Sequence, residues 1–314
     1  MQALVTGALG STANLAETLV KTTPLLLTGL AVMLAFESGI FNIGAEGQFR
    51  AGALAATAVG TLPQPFPCQT VLVLLAGAVA GAAWSSVAAA MRIGRGVSEV
   101  IVTILLNFVA LYLVSYAVHG PLQEAAAAYP QSDPLPPSAR LWQIAPPTRL
   151  HAGVPLAFGL TIVVGVLMRR TALGLRLRAA GRNAVAARLA GFPVTRDLAV
   201  AFALSGALAG LGGAVEVAGV TGRLFERISP GYGYAAIAVA LVGGLRPLRV
   251  TAAAIFFAAL ASGANAMERT AGVSSVLVVA VQGATLVAVA VMGTRIFHEA
   301  VGGRLGGAGA AGGD

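Results

Sequence analysis

Apolar residues along this chain come in long unbroken runs, not in the alternation of a half-buried strand or the stripe of a soluble amphipathic helix. Nine runs are predicted as membrane segments: 12–36, 43–61, 69–91, 99–119, 152–168, 198–221, 233–245, 249–266 and 273–293. A helix rising 1.5 Å per residue needs about 20 residues to cross hydrocarbon. The run 233–245 is short for that, which predicts a tilted, broken or partly re-entrant segment. Between the fourth and fifth runs lies 120–150, in which seven of thirty-one residues are proline. It cannot span, and reads either as a functional surface or as a passive linker. From Gly302 glycine and alanine dominate, so 302–314 is expected to be a disordered tail and 1–301 a single transmembrane domain. The expected fold is all-α, a polytopic transmembrane helical bundle of about 8–9 spans.

Composition agrees. Hydrophobic residues make up 57% and charged residues 10%, against roughly 25% charged in soluble domains, and the mean hydropathy is +0.84. The net charge of +8 raises nucleic acid as a partner. Yet the basic residues, all arginine except Lys21, lie between apolar runs, where they orient helices instead of forming a soluble basic face. No nucleic-acid partner is expected. The connection 169–198 carries seven arginines against one acid, Asp197, which places it in the cytoplasm. Alternating from there, Arg50, Arg92, Arg95, Arg246, Arg249, Arg295 and Arg304 also fall inside, and Lys21, Arg140, Arg149, Arg223, Arg227 and Arg269 outside. The N-terminus is then external, the C-terminus cytoplasmic and 120–150 external. The first twenty residues hold no basic n-region, so retention by the chain's own helices is expected, in a bacterial inner membrane. An external N-terminus without a signal implies either a reverse-anchor first segment or an upstream helix absent from this version of the chain.

Several chemistries are missing. Lys21 is followed by Thr22, but the glycines of a P-loop do not precede it, so the chain does not hydrolyse ATP. His119, His151 and His298 are scattered, Cys68 is the single cysteine, and no nucleophilic or metal-ligand constellation can be built. No enzyme activity, cofactor or metal is expected. Acids cluster near helix ends instead of at mid-span, which argues against ion-coupled transport. Glu17 and Lys21 read as an i,i+4 structural pair, and Glu216 lies towards the outer end of its helix.

Three polar constellations remain. Phe41-Asn42-Ile43-Gly44-Ala45-Glu46-Gly47-Gln48 interrupts the first two runs. It reads either as a broken-helix lining of a pathway or as a tight cytoplasmic turn capped by Asn42. Glu99, Thr103 and Asn107, at i, i+4 and i+8, form one polar stripe on an Ile/Val/Leu helix, and such stripes more often hold helices together than touch substrate. Within the arginine-rich connection, Asn183 reads as an N-cap, 184–190 as helix, Gly191 as its end and Pro193 as a stop. Val185 and Leu189 form an apolar i,i+4 pair there, with Arg182 and Arg188 beside it. So short a helix is marginal in water and makes sense when docked on something. Gly77/Gly81 and Gly206/Gly210 are small-xxx-small pairs that permit close helix approach.

The run Thr23-Pro24-Leu25 leading to Gly39-Ile40-Phe41-Asn42-Ile43-Gly44-Ala45-Glu46-Gly47-Gln48 resembles the signature of bacterial ABC importer permeases for nucleosides and simple sugars, within the branched-chain amino acid/ribose permease group. Glu99 to Asn107, and Gly181-Arg182-Asn183 through Ala186-Ala187 to Gly191, resemble it in the same order, and the similarity runs from about residue 10 to 295. The resemblance implies a type II importer-like permease working by alternating access. It also implies an ATP-binding subunit, a second permease subunit and an external substrate-binding lipoprotein as partners. Residues 181–191 would match the coupling helix seated in the ATPase, with Gly181, Asn183, Val185, Ala187, Arg188, Leu189 and Gly191 carrying the contact. Phe41, Asn42, Glu46, Gln48, Thr103 and Asn107 would line the substrate pathway. A branched-chain amino acid permease is the alternative within the class, and an ion-coupled secondary transporter the one outside it.

Overall fold

The protein is described by a computed structural model covering residues 2–62 and 68–271, with Ala280 and Gly283 beyond them. Among the described residues eleven α-helices follow in order: α1 Gln2–Leu9, α2 Thr12–Glu37, α3 Ala45–Gly60, α4 Gln69–Arg95, α5 Glu99–Val118, α6 Gly153–Arg170, α7 Ala172–Arg182, α8 Ala184–Leu189, α9 Val194–Val215, α10 Tyr232–Val242 and α11 Pro247–Ala271. A π-helical turn, Glu216–Thr221, extends α9. Among the described residues extended pairing is limited to two isolated bridges, Gln131 with Phe225 and Gln143 with His151. The all-α expectation holds.

The number of spans is smaller than expected among the described residues. Six helices are long and apolar enough to cross a membrane: α2, α4, α5, α6, α9 with its π turn, and α11. The run 43–61 yields only the 16 residues of α3, and 233–245 only the 11 of α10. Both are too short to cross about 30 Å. The run 273–293 lies outside the described residues apart from Ala280 and Gly283, as does the tail 302–314. Arg50, expected in an inner connection, sits instead on the second turn of α3.

At the centre is α2, apolar almost all round from Pro24 to Phe36 and buried along most of its length, as a helix enclosed by others must be. It is surrounded by α6, α9, α10 and α11, and beside it α3, α4 and α9 approach one another at backbone distance. A Cβ on Gly81 would lie 2.1 Å from the Gly206 carbonyl oxygen, and one on Gly210 would lie 2.2 Å from that of Gly77. The two small-xxx-small pairs are therefore each other's partners, and α4 and α9 meet where neither has a side chain. Helix α1, which the apolar pattern did not indicate, packs on α11. Ser11 separates it from α2 and accepts the Asn14 N–H at 3.1 Å, as an N-cap does.

Candidate functional site

Helix α5 is a depth gauge for the site. Asn107 lies eight residues from Glu99, about 12 Å along the axis at 1.5 Å per residue, so it sits near mid-span. Its Oδ1 accepts the Gly47 N–H at 2.8 Å, and its Nδ2 donates to the Ile43 carbonyl at 2.9 Å. The first turn of α3 is therefore at mid-span, not at the end of α2. At the other end of the interruption, Gly39 (φ +74°) abuts Gly181 of α7, where a Cβ on Gly181 would fall 2.3 Å from the Glu37 carbonyl oxygen. Between those anchors the non-helical residues 38–44 carry the chain inward from the arginine-rich end.

Helix α10 starts at the same level. The Gly233 N–H donates to Glu46 Oε2 at 2.8 Å, and Tyr234 Oη lies 3.4 Å from Asn107 Nδ2. From this meeting point α3 runs to Gly60, beside Leu135 and the start of α4. Helix α10 runs the other way, to Gly243, beside Val250 of α11. Two half-helices thus place their N-termini together at mid-span, and the Glu46 carboxylate lies at both. A carboxylate is favourable there because the first N–H groups of a helix have no intrahelical acceptor and carry partial positive charge. Arg50 completes the arrangement with an ion pair to Glu46 at 2.8 Å, the carboxylate side chain being 0% exposed and the guanidinium 11%.

The non-helical backbone finds its partners within the protein, as it must at membrane depth. Phe41 N–H reaches Glu99 Oε1 at 3.4 Å, and Glu99 is held by Arg92 at 2.6 Å. Asn42 Oδ1 accepts the Gly44 N–H at 2.9 Å and Gln48 Nε2 at 3.0 Å, while its Nδ2 donates to Gln48 Oε1 and to Ser205 Oγ, both at 3.0 Å. Ser205 donates in turn to the Ala31 carbonyl at 2.9 Å. Thr103 bonds back to the Glu99 carbonyl at 2.7 Å and packs on Gly44.

The segment between α2 and α3 is non-helical over 38–44, a broken-helix arrangement, and Asn42 does not cap α3, whose N-cap is Gly44. Glu99 and Asn107 do tie α5 to its neighbours, as the polar stripe suggests. Of the six expected pathway residues, Asn42, Glu46, Gln48, Thr103 and Asn107 are buried and bonded within the chain. Phe41 alone is outward-facing, 59% exposed and 5.5 Å from the Phe36 ring. Sequence reasoning missed Ser205, Gly233 and Tyr234. The signal was there for the last two: glycines at 231 and 233 opening a run already judged too short to span.

The opposite side of the site is strapped. Residues 222–231 lead from the π turn to the start of α10, and the proline-rich connection is bonded across them. Ser132 N–H donates to the Leu224 carbonyl at 2.9 Å, Leu135 N–H to that of Gly222 at 2.8 Å, and Arg223 pairs with Glu124 at 3.1 Å. His151 is buried at the end of this strap, with Nδ1 accepting the Gly153 N–H at 3.1 Å. Burial, with Arg149 adding to it, pushes its imidazole down to about 4, so it is neutral at physiological pH. Glu17 forms its ion pair with Arg149 at 3.9 Å, not with Lys21 as expected.

At the arginine-rich end, α7 and α8 form a hairpin before α9. Asn183 Oδ1 accepts the Val185 and Ala186 N–H groups at 3.0 and 2.9 Å, and Gly191 closes the short helix with φ +83°. The cap, helix and stop lie where the residue pattern puts them. Ala187 is buried, whereas Val185 is 67% and Leu189 85% exposed. Arg188 lines an open cavity of about 620 Å³ with Phe192 and Arg196. Arg176 ties α7 to the buried Asp197 of α9 at 3.2 Å. Through the contact of Gly181 with Gly39, the hairpin is joined to the segment that leads to Glu46.

Comparison with known proteins gives a consistent picture. The family described as branched-chain amino acid transport system / permease component matches residues 14–290. The glucose ABC transporter permease protein of Haloferax volcanii is 40% identical over 280 residues, covering 86% of this chain and 74% of that one. A guanosine ABC transporter permease protein of Bacillus subtilis is 36% identical over 285 residues, 88% of this chain and 80% of that one. A second guanosine permease protein of the same organism matches at 27% over 252 residues, 76% and 78% of the two chains. No solved structure gives a significant match.

Proposed function

The chain belongs to the family of permease components of branched-chain amino acid transport systems, and on that premise we propose that it carries nucleosides or simple sugars inward as one subunit of an ATP-driven importer. It is a polytopic helical membrane protein, with its sidedness set by the arginines. Under this reading ATP is hydrolysed by a separate subunit on the cytoplasmic side, and an external binding protein delivers substrate. A second permease completes the pathway, a reading supported by the two guanosine permease proteins in one organism.

The observation that carries the coupling role is the exposed Val185–Leu189 pair on a capped helix joined through Gly181 to the mid-span site. Apolar side chains displayed this way on a water-facing helix are expected to be covered by a partner. In this account Gly181, Asn183 and Gly191 shape α8, Ala187 seats it, and Val185, Arg188 and Leu189 contact the ATPase. Phe41 and Tyr234 face the pathway. Asn42, Glu46, Gln48, Thr103 and Asn107 hold the half-helices that frame it, so that a rearrangement of α3 against α10 opens and closes access.

Substrate class is tested by uptake in cells lacking this chain. Uptake of one labelled substrate, a nucleoside such as guanosine or a sugar such as glucose, is expected to fall to background, with leucine uptake unchanged. Loss of leucine uptake alone would move the assignment to branched-chain amino acids.

A further inference from the structure

A second cavity, of about 520 Å³, opens between the end of α6 and the start of α11, away from the N-termini of the half-helices and from α8. Its rim carries Arg169 and Arg170 from α6 and Arg246 and Arg249 from the start of α11. All four are exposed, and among the described residues none has a carboxylate within ion-pairing distance. The arginines elsewhere at this end that approach carboxylates, Arg92 and Arg176, are paired. Four unpaired guanidiniums around one opening repel each other, and an anion between them relieves that.

Below the rim the groove is apolar. Ile162 and Val166, 65% and 49% exposed, line it along the membrane-spanning helix α6, and Leu248, 75% exposed, flanks it from the first turn of α11. Ile162 lies eight residues from Arg170, about 12 Å deeper, well inside the hydrocarbon. At the base the hydroxyls of Thr161 and Thr251 lie 3.1 Å apart, and each also reaches a carbonyl of its own helix, Ala157 and Pro247. At Gly165 the wall has no side chain, and a Cβ there would only touch Pro247 at 3.7 Å, so the groove has room at that level. A ligand matching this shape carries negative charge at interface level and an acyl chain beneath it.

We propose that this groove binds an anionic phospholipid of the cytoplasmic leaflet, its phosphate among Arg169, Arg170, Arg246 and Arg249 and an acyl chain along Ile162 and Val166. Basic pockets between membrane helices on the cytoplasmic side suit such headgroups. The proposal rests on membrane insertion and on the sidedness set by the arginines. It is independent of what the protein transports.

The test is a titration of the purified full chain with phosphatidylglycerol, and with phosphatidylcholine of the same acyl chains, read as bound adducts by native mass spectrometry. Wild type is expected to prefer phosphatidylglycerol. An Arg246→Gln/Arg249→Gln variant is expected to lose about thirtyfold of that affinity, since each basic residue at an anionic surface contributes about a fivefold factor. Gly165→Leu, which fills the groove and keeps the charges, is expected to weaken phosphatidylglycerol as well. The control Arg95→Gln/Arg178→Gln is expected to bind like wild type. Equal affinity for the two lipids in wild type overturns the proposal, and so does an unchanged preference in the Arg246/Arg249 variant. Displacement of the lipid by excess inorganic phosphate would make this a simple anion site and also overturn it.

Discussion

Leu189→Asp is expected to leave the protein inserted at wild-type levels and to reduce ATP-driven uptake at least tenfold. At 85% exposed, Leu189 contributes nothing to the chain's own core, so no folding penalty follows from its loss. Buried against an ATPase subunit, as proposed, the Asp variant loses about 1.5–3 kcal/mol of apolar contact and places an unpaired carboxylate in the interface at further cost. Each 1.4 kcal/mol is about a factor of ten in binding, so engagement of the motor is largely lost. Leu189→Met, similar in volume and apolar, is expected to keep most of the activity. Uptake by the Asp variant at the wild-type rate, with the protein present at wild-type level, would remove α8 as the point of coupling.

The second large effect is at Glu46. Glu46→Ala leaves Arg50 unpaired beside a 0%-exposed site and takes the acceptor from the Gly233 N–H. Breaking a buried ion pair by removing one partner costs about 3–5 kcal/mol. The variant is therefore expected to melt well below wild type when the purified chain is heated in detergent. Adding Arg50→Met should restore much of the loss, because the expensive element is the stranded charge and not the missing pair. If Glu46→Ala melts with wild type, or if the double variant is no better than the single, Glu46 is not the group that joins α3 to α10.

Much of this was legible in the residues. The long spans are, because an apolar run of about 20 residues in a membrane protein has one stable backbone solution. The helix α8 is also, because Asn183, Gly191 and Pro193 each act locally: a side-chain acceptor, a left-handed closure and a missing donor. The half-helices are not. Nothing in 43–61 says that α3 begins at the depth of Asn107, because that depth depends on residues 38–44 being non-helical, and they are held so by Glu99, Asn107 and Ser205 from distant parts of the chain. For the same reason Arg50 is misassigned by arginine counting: its charge is neutralised by a carboxylate one turn away, so it does not report a connection at the inner face. The polar residues of the first two constellations are recognisable as special from composition. Their partners are set by tertiary structure, which shows them as the joints of the frame, with Phe41 and Tyr234 left facing outward.

Under the proposed function this chain moves substrate only when an ATP-hydrolysing partner drives it. The direct measurement is uptake of a labelled nucleoside or sugar into proteoliposomes holding the complex purified through this chain, with and without ATP on the side of the arginine-rich hairpin. The account predicts accumulation that requires hydrolysable ATP, is indifferent to proton and sodium gradients, and is lost with Leu189→Asp. Accumulation driven by an ion gradient in the absence of ATP would contradict it.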